Sequence, residues 1–226
     1  MAKATPPSSS AYDGIVSRHL NRRFSRPVAR LLNHTPATPN QVTVVSLLLA
    51  TGSLALFAAG YPIVAGVLVQ VCSIVDGVDG DLARLKGLAT PFGSFFDAVV
   101  DRYADGMVLL GLTIWAADTN DGSLPWIAGF VALIGTFSVT YTRARIDATR
   151  RTMFDRGLSS LASRDVRLLV IMVGAVAGLG LQTLLAIAVL ANVVVLLRLA
   201  AARTALNSNS MRSAAIDVGR GDLGTV

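Results

Sequence analysis

Apolar stretches long enough to cross a lipid bilayer follow one another along most of this chain, separated by short polar connectors. They predict a first helix over Val44 to Gly60, a second over about Ile63 to Leu85 and a third over about Phe92 to Ala116. A fourth ends in TYTRARID. The run from Leu168 to Leu197, divided at 178–180, holds a fifth and a sixth if the fifth begins among the charged residues before it. Because a membrane helix needs ~20 residues, the pattern predicts an all-α integral membrane protein with six transmembrane helices.

The basic residues mark one side of the predicted membrane. They lie in the amino-terminal segment, in the connectors between helices two and three and between four and five, in the carboxy-terminal tail, or in the adjoining helix turns. The other three turns, near Tyr61, Asp121 and Leu179, have none. The positive-inside rule therefore predicts that both termini are cytoplasmic and that the number of spans is even.

Composition agrees with a membrane protein. Hydrophobic residues make up 53% of the 226 residues and charged residues 15%, against roughly 25% charged in an ordinary soluble domain. The single cysteine, Cys72, lies in an apolar run, so no intrachain disulfide is expected. Residues 1–11 are predicted to be a disordered tail and residues 207–226 a flexible tail, because both are small and polar.

Residues 12–36 combine apolar side chains at spacings of three to five with five arginines. This pattern predicts an amphipathic helix in the membrane interface, with its arginines toward anionic lipid. Pro27 is expected to break or kink it. Thr38 or Asn40 is expected to cap the first membrane helix.

Four aspartates, Asp76, Asp79, Asp97 and Asp101, interrupt the second and third apolar segments. The first two share a broad helix face by their spacing of three, and the last two by their spacing of four. The connector between the helices is short, so the helices are antiparallel neighbours that can bring the four carboxylates together. Clustered anions below a membrane surface need neutralising. Oxygen-only ligands suit Mg²⁺ or Mn²⁺, and a pair of such ions can clamp a phosphoryl group.

Smaller side chains and a cation share the aspartate face. Gly80 and Ala83 leave room for a substrate, and Arg84 can contact phosphate. Asp81 points off this face and is interpreted as a solvated or capping charge. Two alternatives stay open: structural ion pairing of the acids with Arg84 and Arg102, and a divalent-cation transporter. The glycine, alanine and arginine suit a phosphate ligand better than a cation path.

The order of these residues resembles the signature of the CDP-alcohol phosphotransferase family, also called CDP-alcohol phosphatidyltransferases. All eight specified positions match in Asp76-x2-Asp79-Gly80-x2-Ala83-Arg84-x8-Gly93-x3-Asp97-x3-Asp101. The similarity covers about Thr38 to Arg198, and residues 37–206 are interpreted as the family's six-helix domain. The resemblance implies a homodimer with two metal ions per active site, in which an alcohol hydroxyl attacks the phosphate of a CDP-alcohol and CMP is released.

The resemblance also assigns roles by position. It implies that Asp76 and Asp97 bridge both metals, that Asp79 completes one site, and that Asp101 completes the other and accepts the proton of the attacking hydroxyl. The residues implied to contact the CDP donor are Asn40, Gln41, Thr43, Gly80, Ala83, Arg84 and Thr90.

Basic residues are candidates for binding the acceptor alcohol. The stretches DRYAD, YTRAR and SRDVR resemble phosphatidylinositol-phosphate synthases and the membrane half of di-myo-inositol-phosphate-phosphate synthases. The predicted acceptor-phosphate residues are Arg143, Arg145, Arg164 and Arg198. The YTRAR arginines could instead serve only to fix topology. Asp105 could hold Arg102 or line the acceptor pocket.

The CDP donor is predicted from whether a cytidylyltransferase domain accompanies the six-helix domain. No cytidylyltransferase domain precedes it, so the chain is not expected to make CDP-inositol, and CDP-diacylglycerol is the default donor. The predicted function is therefore phospholipid biosynthesis in the cytoplasmic membrane, by transfer of a phosphatidyl-type group to an inositol phosphate or similar polyol at a site facing the cytoplasm. A di-myo-inositol-phosphate-phosphate synthase that uses CDP-inositol is the alternative. No nucleic-acid partner is expected.

Overall fold

The computed structural model describes residues 21–145 and 163–221, and within these ranges every regular element is an α-helix. The predicted tail at 1–11 and the start of the amphipathic segment lie outside the described residues. The helices are α1 Arg22–Asn33, α2 Pro39–Ala58, α3 Pro62–Lys86, α4 Pro91–Thr119, α5 Leu124–Arg145, α6 Arg164–Val176 and α7 Gly180–Gly221. The prediction of an all-α protein is confirmed.

Four helices are long and apolar enough to cross a membrane: α2, α3, α5 and the Gly180–Arg203 part of α7. Helix α4 has 29 residues but carries a cluster of charges in its first half. Helix α6 has 13 residues and reaches roughly 20 Å, less than the ~30 Å hydrocarbon core. The membrane character of the chain is thereby supported by four spans, and the count of six stays a prediction.

Threonine caps fix the starts of α2 and α4. Thr38 forms a capping box with Gln41: the Gln41 N–H donates to Thr38 Oγ1 (3.4 Å) and the Thr38 N–H donates to Gln41 Oε1 (2.9 Å). This decides between Thr38 and Asn40 as the cap of α2. Thr90 Oγ1 accepts from the Gly93 N–H at 3.0 Å and caps α4. Gly87 ends α3 with φ 65°, a left-handed conformation that glycine adopts without strain.

Helix α1 lies against α3 and presents two different faces. Asn21, Ser25 and Ala29 are buried at intervals of four, whereas Phe24 and Leu31 are exposed. The helix runs through Pro27, so the expectation of a break is wrong, whereas a kink, which the loss of one helical hydrogen bond favours, stays a prediction. An exposed apolar face on a short surface helix favours the predicted interfacial position.

Helix α7 continues past residue 206, where the flexible tail was predicted to begin, and ends at Gly221. The sequence between Arg203 and Gly219 contains neither proline nor glycine, so nothing in it stops a helix. The division of the chain into domains stays a prediction.

The core of the bundle lies between helices α2 to α7. It includes Val69, Leu112 and Ile171, and Phe57 stacks on Trp115 with ring centroids 5.8 Å apart. Large apolar side chains are exposed on the outer faces of α2, α3, α5 and α7, as expected where lipid surrounds the bundle.

Gly111 permits a close approach of α2 to α4. A Cβ on Gly111 would lie 2.6 Å from Leu54 Cα, whereas a Cβ on Gly106, in the same helix, would meet nothing within 4 Å. We expect Gly111→Ala to lower the thermal unfolding midpoint by at least about 2 °C, because overpacking costs about 1–3 kcal/mol. Gly106→Ala should leave it unchanged or raise it, since alanine favours helix. Equal midpoints for the two variants, measured in detergent, would contradict this contact.

Candidate active site

A cavity of about 710 Å³ lies where the carboxy-terminal half of α3 meets the amino-terminal half of α4. Side chains from α1, α2, α5 and α6 complete its wall. Its volume is that of a small-molecule site. The predicted site residues that line it are Asn40, Thr43, Asp76, Asp79, Gly80, Ala83, Arg84, Thr90, Asp97, Asp101, Arg143 and Arg164.

Three of the four aspartates form one group. Asp76, Asp97 and Asp101 can each offer a carboxylate oxygen so that the three atoms lie within 4.8 Å of one another. In an octahedral Mg²⁺ site, opposite oxygens are about 4.2 Å apart. Asp76 Oδ1 and Asp101 Oδ1 are buried and accept no hydrogen bond. Because three clustered carboxylates, with a buried oxygen such as Asp76 Oδ1 that accepts no hydrogen bond, are costly without enough positive charge, this group fits a divalent cation.

Asp79 lies beside this group and is oriented by α2. Its carboxylate is buried, accepts a hydrogen bond of 2.6 Å from Thr43 Oγ1, and accepts another from the Gly80 N–H. Thr43, predicted to contact the donor, thus also fixes an aspartate. The role of Asp79 as a metal ligand stays a prediction.

Arg164 reaches into the carboxylate group from the first turn of α6. Its Nη1 forms ion pairs with Asp76 and, at 3.1 Å, with Asp101 Oδ1. Its Nε donates to Asp105 Oδ1 at 2.9 Å. The residue predicted to hold the acceptor's phosphate therefore lies directly against the predicted metal ligands.

Asp105 is 3% exposed and does not line the cavity. Besides Arg164, it accepts a hydrogen bond from Arg167 Nη2 at 3.0 Å, and Arg102 Nη1 lies 3.7 Å from its Oδ2. Asp105 thus holds three arginines, of which Arg102 is the most distant. The alternative in which Asp105 holds Arg102 is confirmed, and the alternative in which it lines the pocket is not. The contacts with Arg164 and Arg167 were not predicted. The sequence did indicate that Arg164 and Arg167 could contact one residue together, because they are three residues apart and so share one helix face.

Arg84, which is predicted to contact the donor, is held in place by neighbouring side chains. Arg84 Nη2 donates to Asp81 Oδ1 at 2.7 Å, and Asp81 Oδ2 accepts from Ser25 Oγ at 3.2 Å. Asp81 lines the cavity, so its interpretation as a solvated or capping charge is wrong. It joins α1 to the arginine predicted to contact the donor.

Three predicted site residues do not line the cavity. Gln41 takes part in the capping box with Thr38. Arg145 is exposed at the end of α5. Arg198 is buried and donates to Val139 O and, at 3.2 Å, to Thr142 Oγ1, so that it ties α7 to α5.

A polar network that the sequence did not reveal forms part of the wall. Asn21 Nδ2 lies 2.8 Å from Ser73 Oγ and 3.1 Å from Asp165 Oδ1, and Gln70 Nε2 donates to Asn21 Oδ1 at 3.0 Å. The network joins α1, α3 and α6. Asparagine, serine and glutamine occur in many helices, so only the fold shows that these residues meet.

The family model of the CDP-alcohol phosphatidyltransferases matches residues 36–195. The chain belongs to this family. This confirms the family resemblance that the eight-residue signature indicated. It also confirms the prediction of an enzyme that transfers substituted phosphate groups, which is the reaction class of this family.

Curated relatives and solved structures show the same kinship. The chain is 43% identical over 194 residues to a bifunctional IPC transferase and DIPP synthase of Rubrobacter xylanophilus, covering 86% of this chain and 44% of that protein. It thus spans less than half of that relative's length. The Mycobacterium tuberculosis phosphatidylinositol phosphate synthase with CDP-DAG bound is 30% identical, with a TM-score of 0.67, over 78% of this chain and 92% of that one. The complex of the same synthase with manganese and citrate is 28% identical to this chain, with a TM-score of 0.65, and the match covers 77% of this chain and 87% of that one.

Proposed function

We propose that this protein transfers a phosphatidyl-type group from a CDP-alcohol, by default CDP-diacylglycerol, to the hydroxyl of a polar alcohol, and releases CMP. The acceptor we favour is an inositol phosphate or a similar phosphorylated polyol. The proposal is carried by the group of Asp76, Asp97 and Asp101, in which Asp76 Oδ1 and Asp101 Oδ1 are buried and accept no hydrogen bond, in a cavity that also contains arginines. Acids that bind metal and cations that bind phosphate are what phosphoryl transfer requires.

Asp76, Asp97 and Asp101 would hold Mg²⁺ or Mn²⁺, with Asp79 completing a pair of sites. Bound there, divalent ions supply positive charge that stabilises the oxygens of the reacting phosphate. The proposed base is Asp101. It takes the proton of the attacking hydroxyl as the new P–O bond forms, and the bond from that phosphorus to the oxygen of CMP breaks, with its electron pair leaving on CMP.

The cations of the cavity lie on different walls. Arg84 projects from α3 and is held by Asp81, Arg102 comes from α4, and Arg143 and Arg164 come from α5 and α6. This arrangement suits two substrates that each carry phosphate: the CDP donor beside Arg84 and the polar residues of α2, and the acceptor beside Arg143 and Arg164. Arg145 and Arg198 have no part in the proposal because they do not line the cavity.

The proposed setting is the cytoplasmic membrane, with six spans, both termini cytoplasmic and the cavity open to the cytoplasm. The distribution of basic residues supports this orientation. Helices α4 and α6 would be the two spans added to the four apolar ones. We also propose a homodimer, for which the exposed apolar faces of the helices offer surface.

A test is CMP release by purified protein with Mg²⁺ or Mn²⁺, crossing CDP-diacylglycerol and CDP-inositol with inositol phosphate, glycerol phosphate, serine and inositol. We expect release from CDP-diacylglycerol with inositol phosphate, and its loss on removal of divalent metal. Release from CDP-inositol alone would favour the second candidate, a synthase like the Rubrobacter relative. Absence of CMP with every pair would contradict both. Metal uptake into proteoliposomes without nucleotide would support the transporter instead.

A further inference from the structure

Asp105 does not line the cavity, and it is buried in a place where a carboxylate without partners would be costly. It is 3% exposed, and its two oxygens are shared by arginines from α6. A buried carboxylate is stabilised only by partners that supply charge and hydrogen bonds. The two arginines on α6 supply both, but only one of them reaches the cavity.

That arginine is held from two directions. Arg164 uses Nε to contact Asp105 (2.9 Å), while Nη1 is directed at Asp76 and Asp101. The guanidinium group is planar and rigid, so the carboxylate that fixes Nε also fixes where Nη1 lies. Without Asp105, the long side chain of Arg164 would have only the metal-binding acids to hold it, and its position would depend on what those acids bind.

We propose that Asp105 is a positioning residue that holds Arg164 at the acceptor side of the cavity, ready for the phosphate of a phosphorylated polyol. This inference rests on the proposed function. Asp105 touches neither substrate. It acts through Arg164, and Arg167 neutralises its remaining oxygen.

Arg167 provides a matched control within the same cluster. It contacts the same carboxylate from the same helix, it is 5% exposed, and it does not line the cavity. If Asp105 served only to stabilise the fold, loss of Arg167 and loss of Asp105 would have similar effects. If Asp105 positions Arg164, only loss of Asp105 will affect the acceptor.

The experiment compares Asp105→Asn, Arg164→Gln, Arg167→Gln and the Asp105→Asn/Arg164→Gln double variant. For Asp105→Asn we expect KM for inositol phosphate, and its Kd by titration calorimetry without donor, to rise about tenfold, the loss typical of a charged hydrogen bond. KM for CDP-diacylglycerol and for unphosphorylated inositol should stay within about twofold. The double variant should be no worse than Arg164→Gln alone, and Arg167→Gln should lower thermal stability without moving the acceptor KM.

Different failures have different meanings. If Arg164→Gln weakens inositol phosphate binding and Asp105→Asn does not, the positioning role is wrong and the proposed function stands. Equal losses for both substrates and for both acceptors would make Asp105 structural only. If the wild type neither binds inositol phosphate nor turns it over, the proposed acceptor and this role fall together. Should Asp105→Asn not fold, Asp105→Glu keeps the charge but displaces it, and the inference then requires the acceptor Kd to rise in a folded protein.

Discussion

Asp101→Asn is expected to reduce CMP release by about 10²–10⁴-fold, the contribution of a general base to proton transfer. Asparagine keeps the size of the side chain but cannot accept the hydroxyl's proton. Asp101 Oδ1 is buried and forms an ion pair with Arg164 Nη1 at 3.1 Å, without a hydrogen bond. The wild-type carboxylate therefore keeps a lone pair for the proton of the hydroxyl. The measurement is single-turnover CMP release with donor and acceptor both saturating.

Asp101 is also proposed as a metal ligand, and the two roles separate when metal is varied. If the deficit of Asp101→Asn persists at saturating Mn²⁺, the base is missing. Full recovery with added Mn²⁺ would show that Asp101 is a ligand only. Asp118→Asn is the control, because Asp118 lies on the same helix, is exposed and is far from the cavity lining. Turnover near wild type for Asp101→Asn would contradict the assignment of the base.

The aspartate face was predictable because helix periodicity alone orders it. Asp76 and Asp79 lie within the continuous helix α3, and Asp97 and Asp101 within α4, with only residues 87–90 between the two helices. A connector this short makes the helices neighbours. The convergence of the four acids on one cavity therefore follows from spacing and chain length.

The grouping within the four acids depends on contacts between distant parts of the chain. Asp79 is drawn toward α2 by Thr43, and the group of three is completed by the approach of Arg164 from α6. No periodicity within α3 or α4 encodes which threonine or which arginine meets them. The sequence could name the acids but not their separate partners.

The sequence also could not show which of the predicted arginines line the cavity. Arg143 and Arg145 are two positions apart, which places them about 200° apart around a helix, so one wall cannot use both. Only Arg143 lines the cavity. Arg198 lies near the end of the apolar part of α7, Gly180–Arg203, but its guanidinium joins α7 to α5. The basic stretches predicted that several arginines lie near the site, but the rotation of each helix about its axis determines which of them line the cavity.

Asp97→Asn is expected to weaken Mn²⁺ binding at least about 100-fold, because removing a direct ligand costs more than the 10–100-fold lost with an outer-shell partner. Asp97 is one of the three acids whose oxygens lie within 4.8 Å of one another. Asp81→Asn is the control: Asp81 lines the same cavity but pairs with Arg84 and Ser25, so its loss should leave Mn²⁺ affinity within about threefold. Mn²⁺ titration followed by electron paramagnetic resonance, without nucleotide, measures both. Equal losses would mean that the cavity attracts Mn²⁺ by its overall charge, and the three-aspartate site would be wrong.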